Sequence, residues 1–235
     1  MPAKNEQNRI GNALEDYKSL QHAYGSLTIV VVTDSEQDPT NNAVAKFNGN
    51  YADLRLLAGR SHGKGGAIIQ GFKSVIDEAS DGDIIGFVDA DDAVRAGQII
   101  KVINEIASGN AACAVGSRKC KGVNAAGIPF SRRAMSTLYA TLVRYMFGIK
   151  IKDMQCGCKF VTANALRAVI GRLAIEDVVF DLNMLYELSK AGKPIREVCI
   201  DYVNVKGGIS PRVFLMLKTT IEYRIFGYAH FAKRT

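Results

Sequence analysis

The stretch Ile84-Ile85-Gly86-Phe87-Val88-Asp89-Ala90-Asp91-Asp92 runs a short apolar segment into three carboxylates. An apolar run of this length, bounded by turn-forming residues, reads as a strand buried in a sheet. Open α/β sheets present ligands at the carboxyl ends of their strands, which is where these acids stand. Extended chain alternates its faces, so Asp89 and Asp91 share one side and offer hard oxygen ligands to a divalent cation on a diphosphate. Like charges this close repel unless a cation or a proton intervenes. The plainer reading is a solvated acidic turn capping a helix that begins near Val94.

Outward from this segment, β-branched apolar runs recur at Leu27 to Thr33, Leu54 to Ala58, Ala112 to Gly116 and Ile195 to Val203, and these read as further strands. Helical patterns lie between them, such as Ile68, Phe72, Val75, Ile76 and Ala79, whose spacing turns one apolar stripe to a sheet. The alternation predicts an α/β fold with a mostly parallel sheet flanked by helices. A first helix is expected from Gln7 to His22. Another follows Ser131, an N-cap residue, with Met135, Leu138, Leu142, Tyr145 and Ile149 at 3,4 spacing. A third, from Phe180 to Ala191, buries Phe180, Met184, Leu185 and Leu188 and stops at Gly192. With 235 residues, 48% of them hydrophobic, and no repeat or low-complexity linker, the chain fits one well-filled domain.

The formal charge of +7 favours an anionic partner: nucleic acid, an acidic membrane surface or a phosphorylated small molecule. Cys113, Cys120, Cys156, Cys158 and Cys199 are odd in number and lack the paired spacing of a zinc site, so reduced thiols in a cytoplasmic protein are expected. The amino terminus is polar from Lys4 to Arg9, and no apolar run reaches the ~18 residues of a membrane span.

Two further constellations point to phosphate. Gly63-Lys64-Gly65-Gly66-Ala67 opens a helix with free backbone N–H groups and a cation, although it lacks the order of a P-loop. Gly116-Ser117-Arg118-Lys119-Cys120-Lys121 ends a strand in basic residues, and Arg132 and Arg133 start the next helix. Such groups bind phosphate through charge-assisted hydrogen bonds, or simply form a solvated basic face.

Read in order, Pro2-Ala3-Lys4-Asn5-Glu6, Val32-Thr33-Asp34 through Asp38 and Thr40, Gly63-Lys64-Gly65 with Ala67 and Gly71, and Asp89-Ala90-Asp91 resemble the nucleotide-binding half of family 2 glycosyltransferases. Gly116-Ser117-Arg118, Arg132 with Ser136, Asp153-Met154-Gln155-Cys156-Gly157-Cys158-Lys159-Phe160, and Phe180-Asp181 ahead of Ile195-Arg196-Glu197-Val198 resemble the branch that glycosylates polyprenyl phosphates. The resemblance implies a GT-A (Rossmann-like) domain over residues 1–210 and a nucleotide-sugar donor, UDP-glucose-like or GDP-mannose-like. By the same resemblance Pro2, Ala3, Asn5, Glu6 and Asp34 would hold base and ribose, with Lys64 in the anion-facing loop. Asp89 and Asp91 would bind Mg²⁺ or Mn²⁺ on the diphosphate, Arg118 and Arg132 would receive the acceptor phosphate, and Asp153 and Gln155 would lie near the sugar. Asp181 falls where relatives with hydroxyl acceptors place a base.

The sequence departs from that pattern in three places. No apolar strand precedes Pro2, so either the stated start is internal to the natural reading frame or the sheet manages without a usual member; Ser35-Glu36-Gln37 replaces a glycine-serine turn; and Lys4 stands where an aromatic is common. The expected reaction is attack of an acceptor phosphate oxygen on the anomeric carbon, with inversion. A phosphate is already anionic at neutral pH and needs no base. Competing readings are a family 2 transferase acting on a sugar hydroxyl, with Asp181 or Asp177 as base, and a sugar-phosphate nucleotidyltransferase. A basic nucleic-acid-binding domain is the non-enzymatic reading, and the carboxylate cluster and lack of a recognised motif count against it.

Residues 211–235 interleave Val213, Phe214, Leu217, Ile221, Ile225, Tyr228 and Phe231 with Arg212, Lys218, Arg224, Lys233 and Arg234. At helical spacing this forms an apolar stripe with basic flanks. It packs on its own domain, packs on a second copy in a homo-oligomer, or lies peripherally on the cytoplasmic membrane face.

Overall fold

The computed structural model describes residues 1–59, 63–120, 130–203 and 213–233. Its strands are β1 (Pro2–Ala3), β2 (Thr28–Thr33), β3 (Asp53–Ala58), β4 (Ile84–Val88), β5 (Cys113–Ser117), β6 (Cys158–Thr162) and β7 (Ile195–Cys199). The helices are α1 (Ile10–Tyr24), α2 (Thr40–Ala45), α3 (Gly63–Val75), α4 (Ala96–Ala107), α5 (Phe130–Phe147), α6 (Ala163–Arg167), α7 (Phe180–Lys190), α8 (Val213–Phe226) and α9 (Tyr228–Ala232).

Strands β1, β2 and β3 pair in parallel, and a second group runs in the order β4-β6-β5-β7. In that group β5 and β7 are parallel, while β6 is antiparallel to both β4 and β5. Alternation along the strands supplies two cores. Phe87, Cys113 and Val115 face one side with Phe72, Phe147, Phe180 and Leu185, whereas Val88 and Ala114 face the other with Ile10, Leu14, Val31 and Ile99. Both faces of the sheet are therefore covered by helices, as an apolar run such as Ile84–Val88 requires.

Several expectations need correction. The segment around Pro2 does join the sheet: Pro2 and Ala3 pair with Val32 and Thr33, so a two-residue strand stands where none was expected. Strand β6 was not read from the sequence, because its five residues were absorbed in a motif and follow Gly157 with no separate turn signal. In α5 the predicted stripe is the wrong one. Leu138 and Tyr145 are exposed, at 66% and 91%, while Tyr139, Val143 and Phe147 are buried. Apolar residues occupy both faces of that helix, so spacing alone admits either stripe. The helix also starts at Phe130, which puts Ser131 inside it rather than at its cap.

The thiol expectation fails for two of the five cysteines. Cys120 and Cys199 form a disulfide, and Cys113, Cys156 and Cys158 are free and buried. The pairing follows from register: Ser117 of β5 lies opposite Cys199 of β7, which brings Cys120 beside it just beyond the strand end.

Residues 213–233 divide between two environments. Thr220, Tyr223 and Phe231 are buried, and Met216, Leu217 and Tyr228 pack against the core. Phe214, Leu215, Ile221, Ile225 and Phe226 are exposed. Gly227, at φ 69°, separates α8 from α9 and lets Phe231 return to Tyr223.

Gly86, in the middle of β4, has no room for a side chain: an added Cβ would meet the Phe160 ring and the Lys159 carbonyl oxygen of β6. Gly86→Ala is expected to cost about 1–3 kcal/mol by overpacking. Thermal or urea unfolding of the variant checks this, and an unchanged midpoint would contradict the β4–β6 packing.

Candidate functional site

The first wall of the site is built by β1 and the loop after it. Asn5, at φ 56°, directs its backbone N–H to the Asp38 carboxylate at 3.2–3.3 Å, and the Glu6 N–H donates to Thr40 Oγ1 at 2.9 Å. Asn is among the few residues that tolerate this left-handed backbone. Asp38 Oδ1 also accepts from the Thr40 N–H, and Lys4 forms an ion pair with Asp34. Burial pushes the Asp38 carboxyl up, but the hydrogen bonds from Thr40 and Asn5 and the Lys4 charge outweigh it and leave it below its ordinary value. Pro2, Ala3, Asn5, Glu6 and Asp34 are thus brought together along one edge.

The second wall is the end of β4. The Asp89 N–H donates to the Gly157 carbonyl at 2.9 Å, and Asp89 Oδ1 meets Lys64 Nζ, from the first turn of α3, at 2.7 Å. Burial raises the Asp89 carboxyl, yet the charges of Lys64, Lys159 and Arg118 overcome it and hold it low. Asp91 is shifted the other way, raised by burial and then by the charge of Asp89, with one hydrogen bond from the Ala93 N–H at 3.2 Å opposing. The two carboxylates therefore share a field, and they do so from a turn beyond the end of β4 rather than from the extended chain that alternation assumed. A Cβ on Gly157 would collide with the Asp89 carboxylate, so only glycine lets β6 run this close beneath the acid. The turn after Asp91 is anchored from three directions: Tyr17 Oη donates to the Val94 carbonyl, the Ala96 N–H to Asp16, and the Val203 N–H to the Ala93 carbonyl.

Asp181 has a different environment from the one expected of a base. It begins α7, is buried, and binds Lys159 Nζ at 2.5 Å; Lys159, with a side chain 0% exposed, also donates to the Cys156 carbonyl at 2.6 Å. Asp177 is likewise engaged, with Oδ1 accepting from the Val179 N–H and Oδ2 from Thr219 Oγ1.

On the far side, Arg118 leaves the end of β5 and clasps Asp153. Its backbone N–H and Nε donate to Oδ2 at 2.9 and 2.7 Å, and Nη2 donates to Oδ1 at 2.8 Å. Burial alone would raise the Asp153 carboxyl, but this two-pronged contact keeps it below its usual value. The Asp153 N–H donates to Glu197 Oε1 at 2.8 Å, and the Arg118 guanidinium lies 5.0 Å from the Tyr202 ring centroid. Asp153, expected near a sugar, is therefore the anchor of Arg118. Gln155 is next to α8, with Nε2 3.2 Å from Met216 Sδ. Arg132 falls in the first turn of α5, and its side chain lies outside the described residues.

The residue types fit a hard divalent cation. Among the described residues no three His, Cys, Asp or Glu side chains converge. Asp89 and Asp91 could hold such an ion beside a bound diphosphate without a third side chain. Sequence reasoning gave no role to Gly157, Lys159 or Glu197, although all three lie in quoted motifs. A lysine within the otherwise small and apolar run Cys156–Val161 is the signal that could have exposed the buried ion pair.

Comparison with known proteins bears on this geometry. A family model described as "Glycosyl transferase family 2" matches residues 1–170. The chain is 32% identical over 228 residues to a dolichyl-phosphate beta-glucosyltransferase of Saccharomyces cerevisiae, and 28% identical over 221 residues to one of Dictyostelium discoideum. Each match covers 88% of this chain and 66% of the relative, so the chain spans slightly less than two thirds of their length. Among solved structures, glucosyl-3-phosphoglycerate synthase of Mycobacterium tuberculosis, in complex with Mn²⁺, uridine-diphosphate-glucose and phosphoglyceric acid, aligns with TM-score 0.67 at 14% identity. That alignment covers 97% of this chain and 78% of the other. At such identity the likeness is one of fold, the GT-A architecture of a mixed, largely parallel α/β sheet with flanking helices.

Opening the Lys159–Asp181 pair from one side should cost about 3–5 kcal/mol, because a buried charge is left without its partner. Asp181→Ala is expected to show this loss in urea unfolding, and Lys159→Met combined with Asp181→Leu to recover much of it. A fully stable Asp181→Ala that has lost only turnover would instead make Asp181 a reacting group.

Proposed function

The chain belongs to glycosyl transferase family 2, and from that premise we propose that it moves a hexose, glucose from a uridine diphosphate donor, to a polyprenyl phosphate. The observation that carries the reading is the end of β4, where Asp89 and Asp91 share a field opposite Lys64 and beside the Pro2–Glu6 edge. Asp89 and Asp91 would hold Mg²⁺ or Mn²⁺, which would supply Lewis acidity toward the leaving diphosphate. Lys64 adds a cation on the same side, and the Asn5, Glu6 and Asp34 edge holds the nucleoside. Arg118, held rigid by Asp153, and Arg132 on α5 receive the acceptor phosphate. A phosphate oxygen then attacks the anomeric carbon as the bond to the diphosphate breaks, inverting that centre.

Attack by a phosphate requires no general base. This agrees with the engagement of both candidate bases, Asp181 by Lys159 and Asp177 by Val179 and Thr219, and it weighs against a sugar hydroxyl as acceptor. The names of the relatives, dolichyl-phosphate beta-glucosyltransferases, support the same acceptor class.

Residues 213–233 are read as part of the same domain, with a membrane-facing surface. No helix among the described residues is long and apolar enough to cross a bilayer. Helices α5 and α8 are joined by Tyr139 to Thr220 and by Arg224 to the Met146 carbonyl. Together they expose Leu138, Tyr145, Phe214, Ile221 and Ile225, with Arg144, Lys218 and Arg224 alongside. Apolar side chains flanked by cations suit the headgroup boundary of an anionic bilayer, which would bring a lipid-borne acceptor to Gln155 and Arg118.

Asp91→Ala is expected to abolish the metal-dependent part of nucleoside-diphosphate binding, a loss of about 3 kcal/mol of the kind produced by removing one preorganised charge. Calorimetry with and without Mn²⁺ reads it, and wild-type metal dependence in the variant sinks the assignment. Arg118→Lys keeps a cation beside Asp153 but loses the fork. It should lower transfer on the order of 10²-fold with donor affinity unchanged; equal losses in both would put Arg118 on the nucleotide.

Wild-type protein should sediment with vesicles containing phosphatidylglycerol, less so as salt is raised, and Phe214→Glu with Ile225→Glu should remain in solution with an unaltered melting curve. Failure of the wild type to bind at any salt concentration overturns the membrane reading.

A further inference from the structure

We infer that the Cys120–Cys199 disulfide is a positioning element for the acceptor side of the site, released by thiol reductants. The inference rests on the proposed reading of Arg118 as an acceptor-phosphate cation. Strands β5 and β7 end together: Ser117 pairs with Cys199, and the Ile200 N–H donates to the Ser117 carbonyl at 3.1 Å. The β5 chain then leaves the ladder as Arg118, Lys119 and Cys120, and the disulfide ties it back to β7 with the two Cα atoms 5.8 Å apart. Arg118 and Lys119 are thus clamped between a ladder hydrogen bond on one side and a covalent bond on the other.

The same β7 segment carries the remaining supports of Arg118. Glu197, two residues before Cys199, accepts from the backbone of Asp153, and Tyr202, three residues after it, lies against the guanidinium. Holding Cys120 to Cys199 therefore fixes the cation-bearing end of β5 to the strand that also orients its counter-ion and its aromatic neighbour. The donor-side groups are anchored elsewhere, Asp89 on the Gly157 carbonyl and Lys64 in α3.

Cys199 is exposed, whereas the three free thiols are buried. Burial raises Cys113 and Cys156 to about 12, so they do not compete as nucleophiles at neutral pH. A small thiolate attacks the Cys199 sulfur, forming a mixed disulfide and expelling the Cys120 thiolate. A second thiol displaces Cys199 and leaves as the oxidised disulfide. The protein gains two electrons and two protons, and two thiols of the reductant are oxidised to one disulfide.

The test uses the full chain, purified without reductant and compared with and without dithiothreitol. Alkylation after denaturation should find three reactive thiols before reduction and five after it. Reduction should speed hydrogen exchange in the peptide spanning Ser117–Cys120 and raise the KM for polyprenyl phosphate several-fold. The kcat and the affinity for uridine diphosphate with Mn²⁺ should hold. Cys120→Ser should show the reduced values and no longer respond to dithiothreitol, a KM-against-kcat split that a general staple would not produce. Five reactive thiols in the unreduced protein, or unchanged exchange and KM on reduction, overturn the inference. Faster exchange on reduction, with no transfer to polyprenyl phosphate in either state, leaves the positioning intact and overturns the acceptor reading.

Discussion

Asp181 is buried and Asp89 half-buried, and each is met by a lysine: Lys159 at 2.5 Å and Lys64 at 2.7 Å. The cost of a buried carboxylate without a partner is several kcal/mol, so these contacts constrain where the elements around them can lie. Lys64 opens α3, Lys159 is central in β6, and Asp181 opens α7. Three elements distant in sequence are thus held around the end of β4 by charge, and the packing of Phe72, Phe87 and Phe180 fills the space beneath them. Phe87 serves both roles, since Lys64 and Lys159 also lie 5.7 and 5.3 Å from its ring centroid.

The alternation of sign continues outward. Arg118 and Asp153 form the next pair, with Glu197 on the backbone behind it. A chain with a formal charge of +7 thus uses part of its positive charge internally, to hold acids in place. Asp91 stands apart from the paired acids in this respect. Asp153 and Asp181 have cations in contact, while the Asp91 carboxyl is raised beside Asp89.

Much of this was legible in the sequence where local pattern and tertiary role coincide. Strand β4 and its acidic end were readable because an apolar run followed by alternating aspartates means the same thing locally and in the sheet. The helix that opens at Gly63 and the strand end at Arg118 were readable for the same reason. What escaped depends on partners far along the chain. Asp181 reads from its position as the place of a base, and only the fold shows Lys159 of β6 against it. The packed face of α5 is ambiguous because that helix is apolar on two sides. The disulfide joins residues separated by 79 positions, and only the β5–β7 register shows that they are neighbours.

Strand β6 also has a consequence for how the molecule is made. It is the shared neighbour of β4 and β5, and it pairs Cys158 with Val88 and Val161 with Cys113. While the first half of the chain is emerging from a ribosome, β4 and β5 must wait with unpaired edges, and Asp89 has neither the Gly157 carbonyl nor the nearby lysine of β6. Non-local pairing of this kind is slow, and it leaves the β4 and β5 edges open until β6 arrives. The Asp89–Asp91 turn belongs to the first half by sequence, but it acquires its final geometry only after the second half has been synthesised.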